Sequence, residues 1–323
     1  MRDRIGTSIQ RGLQAWNAFW FSPVQTSTLA LLRIGFGLIV LFWTISLGHD
    51  LLSFYSTDGI VPSQPDFGAS GEDGSWGLLG RFESDGAVIA LYVVLLVAAI
   101  CLTIGLGTRL AALLVFVGLI SFSRRNPWVL NSGDALLHVI AFYFLIAPSG
   151  AALSVDRWLR ARSRFWEFPL RSGWPLRLLQ VQVSILYLTA AWDKTAGNTW
   201  REGSAVSYAL RIGDLERFPV PSFVVDSLLI SNALTYGTLA IELSLGVLVW
   251  NRVLRPWVLL LGVSLHLGID YAVRVGFFSY AVIALYLVFI RPETMSAWIL
   301  AVRDWVSGRL ARSPAQISAA DRS

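Results

Sequence analysis

Long apolar runs separated by short polar stretches dominate the chain. The run TLALLRIGFGLIVLFWTISL begins at Thr28 and reaches the roughly 20 residues that a helix needs to cross a bilayer. Seven further runs have a similar character, so the pattern predicts about eight transmembrane helices. The eight segments are Thr28–Leu47, Ala87–Leu106, Arg109–Phe122, Asp134–Ala147, Leu176–Trp192, Thr235–Trp250, Trp257–Tyr271 and Gly276–Ile290.

Other parts of the pattern predict shorter or weaker elements. The third and fourth segments are short for a full span, so we expect tilted or broken helices there. The apolar stretch Phe223–Ile230 is too short to cross, and we expect it to re-enter the bilayer or lie on its surface. Ser296–Val306 has the pattern of a surface amphipathic helix, and we expect the tail after Arg309 to be disordered.

The composition supports an all-α integral membrane fold, in which interfacial amphipathic helices accompany the eight spans. Hydrophobic residues make up 55% of the 323 residues and charged residues only 15%. We predict a basic, amphipathic cytoplasmic lead-in over residues 1–24 and a transmembrane domain over residues 25–295. Residues 296–323 are predicted to form the cytoplasmic amphipathic helix and tail. The single cysteine, Cys101, excludes an intrachain disulfide.

The charges in the loops predict the orientation of the helices. Arginines precede the first segment and follow the fourth and sixth, which places them on one side: Arg2, Arg4, Arg11, Arg157, Arg160, Arg162, Arg164, Arg171, Arg177, Arg252 and Arg255. The first long loop is acidic instead: Asp50, Asp58, Asp66, Glu72, Asp73, Glu83 and Asp85. We therefore expect a multi-pass protein of the cell membrane with both termini in the cytoplasm. The net charge of +5 reflects this topology and gives no argument for nucleic acid as a partner.

Lys194 is the only lysine among 26 basic residues. Arginine is effectively always protonated, whereas a lysine in dry surroundings can lose its proton and act as a base or nucleophile. The alternative interpretation is that a GC-rich genome replaced the other lysines by arginine and left this one by chance. Lys194 lies where a long apolar segment runs out into a polar loop, and this position favours chemistry.

The predicted topology brings further polar residues to the external helix ends. His138 follows Asp134 by four residues, and His266 precedes Asp270 by four, so each pair shares a helical face. A polar stripe in the fifth segment points towards the lysine: Gln180, Ser184, Tyr187 and Lys194. A histidine in a membrane helix is, however, more often a hydrogen-bond partner between helices than a catalyst.

Two charged residues inside the apolar segments form a candidate structural pair. Arg33 lies in the first segment and Glu242 in the sixth, and intramembrane charges usually face a partner or a cavity. We expect no metal site, because no ligand-spacing motif supports one. The sequence GLGTR at Gly105–Arg109 lies between two membrane segments without a strand, so it predicts a tight turn on the cytoplasmic side.

The segment around the lysine resembles a known family. LYLTAAWDKTAGNTWREGSAVSYAL is similar to the lysine segment of the membrane domain of vitamin K-dependent gamma-carboxylase, also called the horizontally transferred transmembrane (HTTM) domain. Other pieces match in order over roughly residues 25–295. They are LALLRIGFGLIVL, the stretch from Phe54–Tyr55 to Gly59, Ser154–Val155–Asp156 and SLHLGIDYAVRVGFFSYAVIAL.

The resemblance implies that Lys194 is the base that deprotonates reduced vitamin K, here expected to be a bacterial menaquinol. In the family, dioxygen then adds, the quinone becomes an epoxide, and a strongly basic oxygen intermediate removes a proton from a glutamate for carboxylation. The apolar surroundings are consistent with this role, because a desolvated amine favours its neutral form and a neutral amine can accept a phenolic proton. The lipid bilayer and a prenylated naphthoquinone are therefore the expected partners.

The same resemblance suggests roles for further residues. Trp200 and Glu202 keep the family's Trp-x-Glu-Gly pattern and are expected to position the lysine loop. His266 falls on a histidine of the carboxylase, and Ser279 lies in a matching Phe-Ser-Tyr. The other residues expected to bind the quinone or a carboxylate substrate are Asn131, Asp134, His138 and Asp270.

Two departures from the family weigh against peptide carboxylation. Where the carboxylase has Asn-His, this chain reads Asn131–Ser132–Gly133–Asp134, and His138 lies a turn further on. Because the sequence ends soon after the last predicted helix, we also do not expect the large extramembrane domain that holds protein substrates in animal carboxylases. We therefore expect quinol oxidation or epoxidation ahead of carboxylation of a secreted peptide. The alternative is a non-enzymatic membrane partner in the maturation or export of a secreted peptide or toxin, while the absence of an inverted repeat argues against a transporter.

Overall fold

The computed structural model describes residues 2–60, 77–82 and 84–320, and most of these residues are helical. The α-helices are α1 (Arg2–Phe21), α2 (Ser27–Gly48), α3 (Leu51–Tyr55), α4 (Asp85–Ile104), α5 (Thr108–Arg125), α6 (Ser132–Ile146), α7 (Val155–Arg160), α8 (Trp174–Ala196), α9 (Asn198–Arg201), α10 (Ala205–Leu210), α11 (Ser222–Asp226), α12 (Leu228–Val247), α13 (Arg255–Ala272), α14 (Phe278–Leu285) and α15 (Pro292–Ala320). Two short strands, β1 (Pro23–Gln25) and β2 (Leu170–Ser172), pair antiparallel.

Seven single 3₁₀ turns link or extend the described helices. They are Leu78–Gly80, Pro127–Val129, Ser149–Ala151, Arg162–Arg164, Gly213–Leu215, Leu248–Trp250 and Tyr286–Phe289. The last two continue α12 and α14 directly. Residues of the first long loop on which the acidic-loop prediction depends, Asp66, Glu72, Asp73 and Glu83, lie outside the described residues.

Each of the eight predicted segments coincides with one helix, namely α2, α4, α5, α6, α8, α12, α13 and α14. Among the described residues, three helices are long and apolar enough to cross a membrane: Ser27–Gly48, Asp85–Ile104 and Leu228–Trp250. A fourth candidate is the pair Phe278–Phe289 and Pro292–Arg309, which is bent by 109°. The helical membrane class is therefore supported, while the count of eight spans and the orientation stay predictions.

The helices pack as antiparallel neighbours around one apolar core. Pairs that adjoin in sequence, such as α4 with α5 and α5 with α6, lie side by side, and α2 packs on α4. In the core, the rings of Phe36 and Phe144 stack with their centroids 5.2 Å apart. Large apolar side chains such as Phe42 and Leu110 are more than half exposed on the outer faces of these helices, as a lipid-facing surface requires.

A tight turn between α4 and α5 forms at the sequence GLGTR as predicted, while its position on the cytoplasmic side stays a prediction. Gly105 ends α4 with φ of 73°, a left-handed conformation that favours glycine. A Cβ at this position would lie 2.5 Å from the side chain of Ser154 and 2.6 Å from Arg33. Glycine is therefore required here both by its backbone conformation and by close packing.

The predicted ion pair between Arg33 and Glu242 is wrong. The fully buried guanidinium of Arg33 instead donates hydrogen bonds to the carbonyl oxygens of Ser149 (2.9 Å) and Leu153 (2.6 Å), with a longer bond to Ala152. The five donors of an arginine can satisfy several carbonyls in a turn at once, and so no carboxylate is needed.

The structure divides one predicted stretch into two elements, whose re-entrant or surface position stays a prediction, and it differs from the expectation for the tail. The stretch Phe223–Ile230 does not form one element, because Ser227 divides it into α11 and the start of α12. The Ser227 hydroxyl accepts a hydrogen bond from the amide of Ile230 and caps α12. At the other end of the chain, α15 is one helix that contains Ser296–Val306 and continues to Ala320, through most of the segment for which the sequence predicts a disordered tail.

Candidate functional site: a buried lysine–glutamate pair above a polar stripe

The antiparallel packing of α8 against α12 places Lys194 opposite Glu242. Nearer the start of α8, the indole Nε1 of Trp250, in the 3₁₀ turn that follows α12, donates a hydrogen bond of 2.8 Å to the Ser184 hydroxyl. One turn further, a Cβ at Gly246 would lie 2.8 Å from the side chain of Leu188, so the two helices approach closely there. Continuing this register brings the last turn of α8 against the middle of α12.

Lys194 and Glu242 form an ion pair in which the lysine ammonium contacts both oxygens of the carboxylate. The Nζ atom of Lys194 lies 2.7 Å from Oε1 and 2.9 Å from Oε2 of Glu242. The side chain of Glu242 is 9% exposed and that of Lys194 is 25% exposed. The pair is therefore largely withdrawn from solvent yet retains an opening on the lysine side.

Trp200 covers the lysine from α9, the short helix that follows α8. Its ring centroid lies 5.4 Å from Nζ of Lys194, within the range of a cation–π contact. The Glu202 side chain, by contrast, is exposed. The structure therefore brings Trp200, but not Glu202, into contact with the lysine.

The polar stripe predicted on the fifth segment is present, and its side chains face other helices. Gln180, Ser184 and Tyr187 are buried, and the Gln180 amide donates to the carbonyl of Val288 at 2.6 Å. Tyr187 lies seven residues before Lys194, roughly 10 Å away along the helix axis. The stripe thus runs through the bundle towards the ion pair.

His266 belongs to a buried cluster with two tyrosines. The Tyr187 hydroxyl lies 2.7 Å from Nε2 of His266 and also hydrogen-bonds the hydroxyl of Tyr286. Gly262 makes room for this cluster, because a Cβ there would lie 2.7 Å from the Tyr286 hydroxyl. The ring of Phe278 covers His266 edge-on, with the centroids 5.5 Å apart. Tyr286 was not predicted, since its apolar neighbours in the sequence give no signal of a polar role.

Asn131 and Asp134 serve as the N-terminal cap of α6. The Asn131 side chain accepts hydrogen bonds from the amides of Gly133 and Asp134, and the Asp134 carboxylate accepts one from the amide of Asn131. The second carboxylate oxygen accepts a hydrogen bond of 2.7 Å from the indole of Trp43 on α2. This arrangement is a reciprocal capping box, and it accounts for both residues structurally.

A cavity of about 230 Å³ nevertheless opens beside this cap. Asn131 and Asp134 line it together with Trp43, Asp50 and Tyr55. It adjoins the ends of α2 and α5 and the start of α6. Lys194 does not line this cavity, so the sequence-predicted residues fall into separate groups.

The remaining predicted residues lie in other local networks. His138 pairs with the hydroxyl of Ser123 at 2.9 Å. Asp270 accepts a hydrogen bond from Tyr280 and forms an ion pair with Arg217 at 2.6 Å. Neither Asp134 nor His138 contacts His266. The first turn of α6 does pack on Phe278, since a Cβ at Gly133 would lie 3.1 Å from the amide nitrogen of Phe278.

Two buried polar atoms near the centre of these networks have no hydrogen-bond partner among the described residues. They are Nδ1 of His266 and the hydroxyl of Ser279. A buried polar atom without a partner costs free energy and therefore calls for an explanation, such as a bound ligand. Within the described residues, no group of three His, Cys, Asp or Glu side chains is placed to hold a metal ion.

The apolar helices and the ion pair buried between two of them define a helical membrane protein. The family model described as the HTTM domain matches residues 78–294, which is more than half of the chain. The chain therefore belongs to the HTTM domain family, a membrane domain associated with vitamin K-dependent carboxylase-like proteins. No solved structure was found to match the chain.

Proposed function

We propose that this protein is a membrane enzyme that oxidises a reduced naphthoquinone with Lys194 as the base. The observation that carries the proposal is the largely buried pair of Lys194 and Glu242, whose ammonium and carboxylate lie 2.7 Å apart. Family membership supports it, because the HTTM domain occurs in carboxylase-like proteins. Lys194 is also the chain's single lysine, and so no other amine side chain competes for the role.

Glu242 can accept a proton from Lys194, so that the lysine becomes neutral without losing a proton to solvent. Separated charges are costly in a dry environment, and the short contact from Nζ to Oε1 lets a proton pass to the carboxylate. Once Glu242 holds that proton, the Nζ lone pair of Lys194 is free. A phenolic O–H bond then breaks as a new N–H bond forms at Nζ, and the resulting ammonium stabilises the phenolate.

The residues of the site are compatible with a reduced quinone as the substrate. Lys194 is partly exposed and lies over the indole ring of Trp200, an apolar surface against which an aromatic ring can stack. His266 and Ser279 each hold a buried polar atom without a partner among the described residues, and such atoms can hydrogen-bond the oxygens of a bound ring. When bound, the quinol supplies the acidic hydroxyl and the electrons that reduce dioxygen.

Epoxide formation tests this proposal. The purified protein in detergent is given chemically reduced menaquinone and dioxygen, and the 2,3-epoxide is measured by mass spectrometry. We expect epoxide from the wild type and from Tyr208→Phe, a control at a site 61% exposed. We expect none above the protein-free background from Lys194→Arg or Lys194→Ala, because arginine keeps the charge but does not give up its proton.

Two further results distinguish the competing functions. If folded wild-type protein yields no epoxide above background, the enzyme proposal fails and a binding or maturation role for a secreted peptide takes its place. If epoxide forms, a glutamate-containing peptide and labelled carbon dioxide are added. Label in the peptide would extend the activity to carboxylation, whereas its absence would limit the activity to quinol epoxidation.

A further inference from the structure

A second cavity, of about 560 Å³, lies at the other end of the bundle from Lys194. The turn before α5, the end of α6 and the helix α7 form its walls. Four arginines line it, and we call it the arginine-lined cavity: Arg109, Arg157, Arg160 and Arg171. Part of its wall is apolar: Leu110, Ala147, Pro148 and Ala151.

Asp156, the one carboxylate among the described residues that line this cavity, already accepts several hydrogen bonds. Asp156 accepts hydrogen bonds from the amides of Gly107 (2.8 Å) and Thr108 (2.9 Å) and from the Thr108 hydroxyl (2.7 Å). It therefore caps α5 and neutralises the positive end of that helix. Its oxygens already accept these hydrogen bonds. The cavity is therefore lined by four guanidinium groups and a single carboxylate among the described residues.

Two of the guanidinium groups make no hydrogen bond and no ion pair in the part of the chain that the structure describes, although one of them, Arg160, lies close enough to Asp156 to act on that carboxylate electrostatically. Arg157 donates to the carbonyl of Arg164 at 2.9 Å and approaches Glu167. The side chains of Arg109 and Arg160 make no hydrogen bond or ion pair with any described residue. Arg171 donates only to the backbone carbonyl of Leu170 at 3.1 Å, so the positive charges of Arg109, Arg160 and Arg171 are not neutralised by an ion pair with a described residue.

We infer that the arginine-lined cavity binds the phosphate group of an anionic phospholipid. A planar guanidinium matches phosphate oxygens in a bidentate geometry, and two such groups at this site make no hydrogen bond with a described residue. The apolar wall suits the glycerol and acyl part of a lipid. Leu110, which is 62% exposed beside Arg109, extends that apolar surface outwards, and Trp158 on α7 is 42% exposed as interfacial aromatic residues commonly are.

This inference does not depend on the activity proposed for Lys194. A free phosphate ion would use the guanidinium groups but not the apolar wall, so the two ligands can be separated experimentally. The phospholipid would anchor the turn between α4 and α5 to the arginine-rich side of the membrane. The proposed quinone site lies at the other helix ends, and so failure of one proposal leaves the other standing.

The test is lipid binding by the full-length protein in neutral detergent. Phosphatidylglycerol or phosphatidylcholine is titrated in, and bound lipid is counted by native mass spectrometry, with inorganic phosphate as a competitor. The test variant is Arg109→Gln/Arg160→Gln. The matched control is Arg11→Gln/Arg252→Gln, which removes the same charge from exposed residues outside the cavity.

We expect the wild type and the control to retain phosphatidylglycerol in preference to phosphatidylcholine. The test variant should bind phosphatidylglycerol about tenfold more weakly or worse, since each basic residue near an anionic lipid contributes several-fold in affinity. Arg109→Lys/Arg160→Lys should recover part of the affinity for phosphatidylglycerol. This recovery would show that the loss in the test variant comes from charge and not from misfolding. Equal loss in the test and control variants, or complete displacement by millimolar phosphate, would overturn the inference.

Discussion

Lys194 and Glu242 lie 48 residues apart in the chain, yet the lysine Nζ contacts both oxygens of the glutamate carboxylate. The contact joins the last turn of α8 to the middle of α12 and leaves the lysine side partly open. A cation near a helix C-terminus is also favoured by the helix dipole. The pair thus has a structural role between two helices and a geometry suited to proton transfer.

Removing one partner of this pair should destabilise the protein more than removing both. Lys194→Met leaves the Glu242 carboxylate buried and unpaired, at a cost on the order of 3 kcal/mol in the free energy of unfolding. Lys194→Met/Glu242→Leu should lie within about 1 kcal/mol of the wild type, because no unpaired charge remains. Thermal unfolding in detergent measures both. Additive losses in the double variant would show that the two side chains are not coupled.

The Tyr187 hydroxyl should contribute to stability through its two buried partners. Tyr187→Phe leaves His266 Nε2 and the Tyr286 hydroxyl without this contact, and we expect a loss of about 1–3 kcal/mol. Tyr208→Phe, at an exposed site, should change stability by less than about 0.5 kcal/mol. Chemical or thermal unfolding compares the two variants. Similar stabilities would contradict the observed hydrogen-bond cluster.

Arg33 should not tolerate replacement by lysine. Its guanidinium reaches the carbonyls of Ser149 and Leu153 together, and a single ammonium cannot reproduce that planar fork. We expect Arg33→Lys to lower the free energy of unfolding by about 1–3 kcal/mol. The same change at exposed Arg252 serves as the control. If a Glu242 variant abolished the effect of Arg33→Lys on stability, the result would support the ion pair between Arg33 and Glu242 that the sequence predicts.

Asp156 should make a pH-dependent contribution to stability. Burial opposes ionisation, but hydrogen bonds from Thr108 and Gly107 and the nearby Arg160 outweigh it and lower the pKa of Asp156 below its ordinary value of 3.8. The contribution is therefore fully present above pH 3.8 and is lost as the pH falls through the lowered pKa. Asp156→Asn should cost no more than about 1 kcal/mol at pH 7, the size of a partly exposed cap.

Unfolding of the wild type and Asp156→Asn between pH 7 and pH 2.5 measures this effect. The difference between them should stay constant down to about pH 4 and then shrink as the wild-type carboxylate becomes protonated. A difference that grows towards low pH would contradict the assignment of Asp156 as an ionised cap.

The helices were predictable because each depends on a continuous apolar run, which the sequence displays directly. The partner of Glu242 was not predictable. The connection between α8 and α12 holds α9, α10, α11 and a 3₁₀ turn, so the chain separation says nothing about the register of the two helices. Lys194 could be singled out as a candidate because it is the single lysine, whereas Tyr286 lies in an apolar run that looks like ordinary core.

The sequence predicts which residues share a face of one helix, but it does not predict which residues of different helices lie close together. The stripe of Gln180, Ser184 and Tyr187 follows from helical periodicity, and all three side chains are buried as that stripe requires. The grouping of His266 with Asp134 or His138 required knowledge of packing across three helices. Tyr187 occupies the position beside His266 instead, because α8 and not α6 lies against that face of α13.

The most direct test of Lys194 as a base is the ionisation state of the quinol when it binds without oxygen. Reduced menaquinone is mixed anaerobically with the wild type or Lys194→Arg, and the ultraviolet–visible difference spectrum is recorded, since a naphtholate absorbs at longer wavelength than the neutral quinol. We expect a naphtholate band with the wild type and none with Lys194→Arg at equal quinol binding. A band of equal size in both proteins would contradict the assignment of Lys194 as the base.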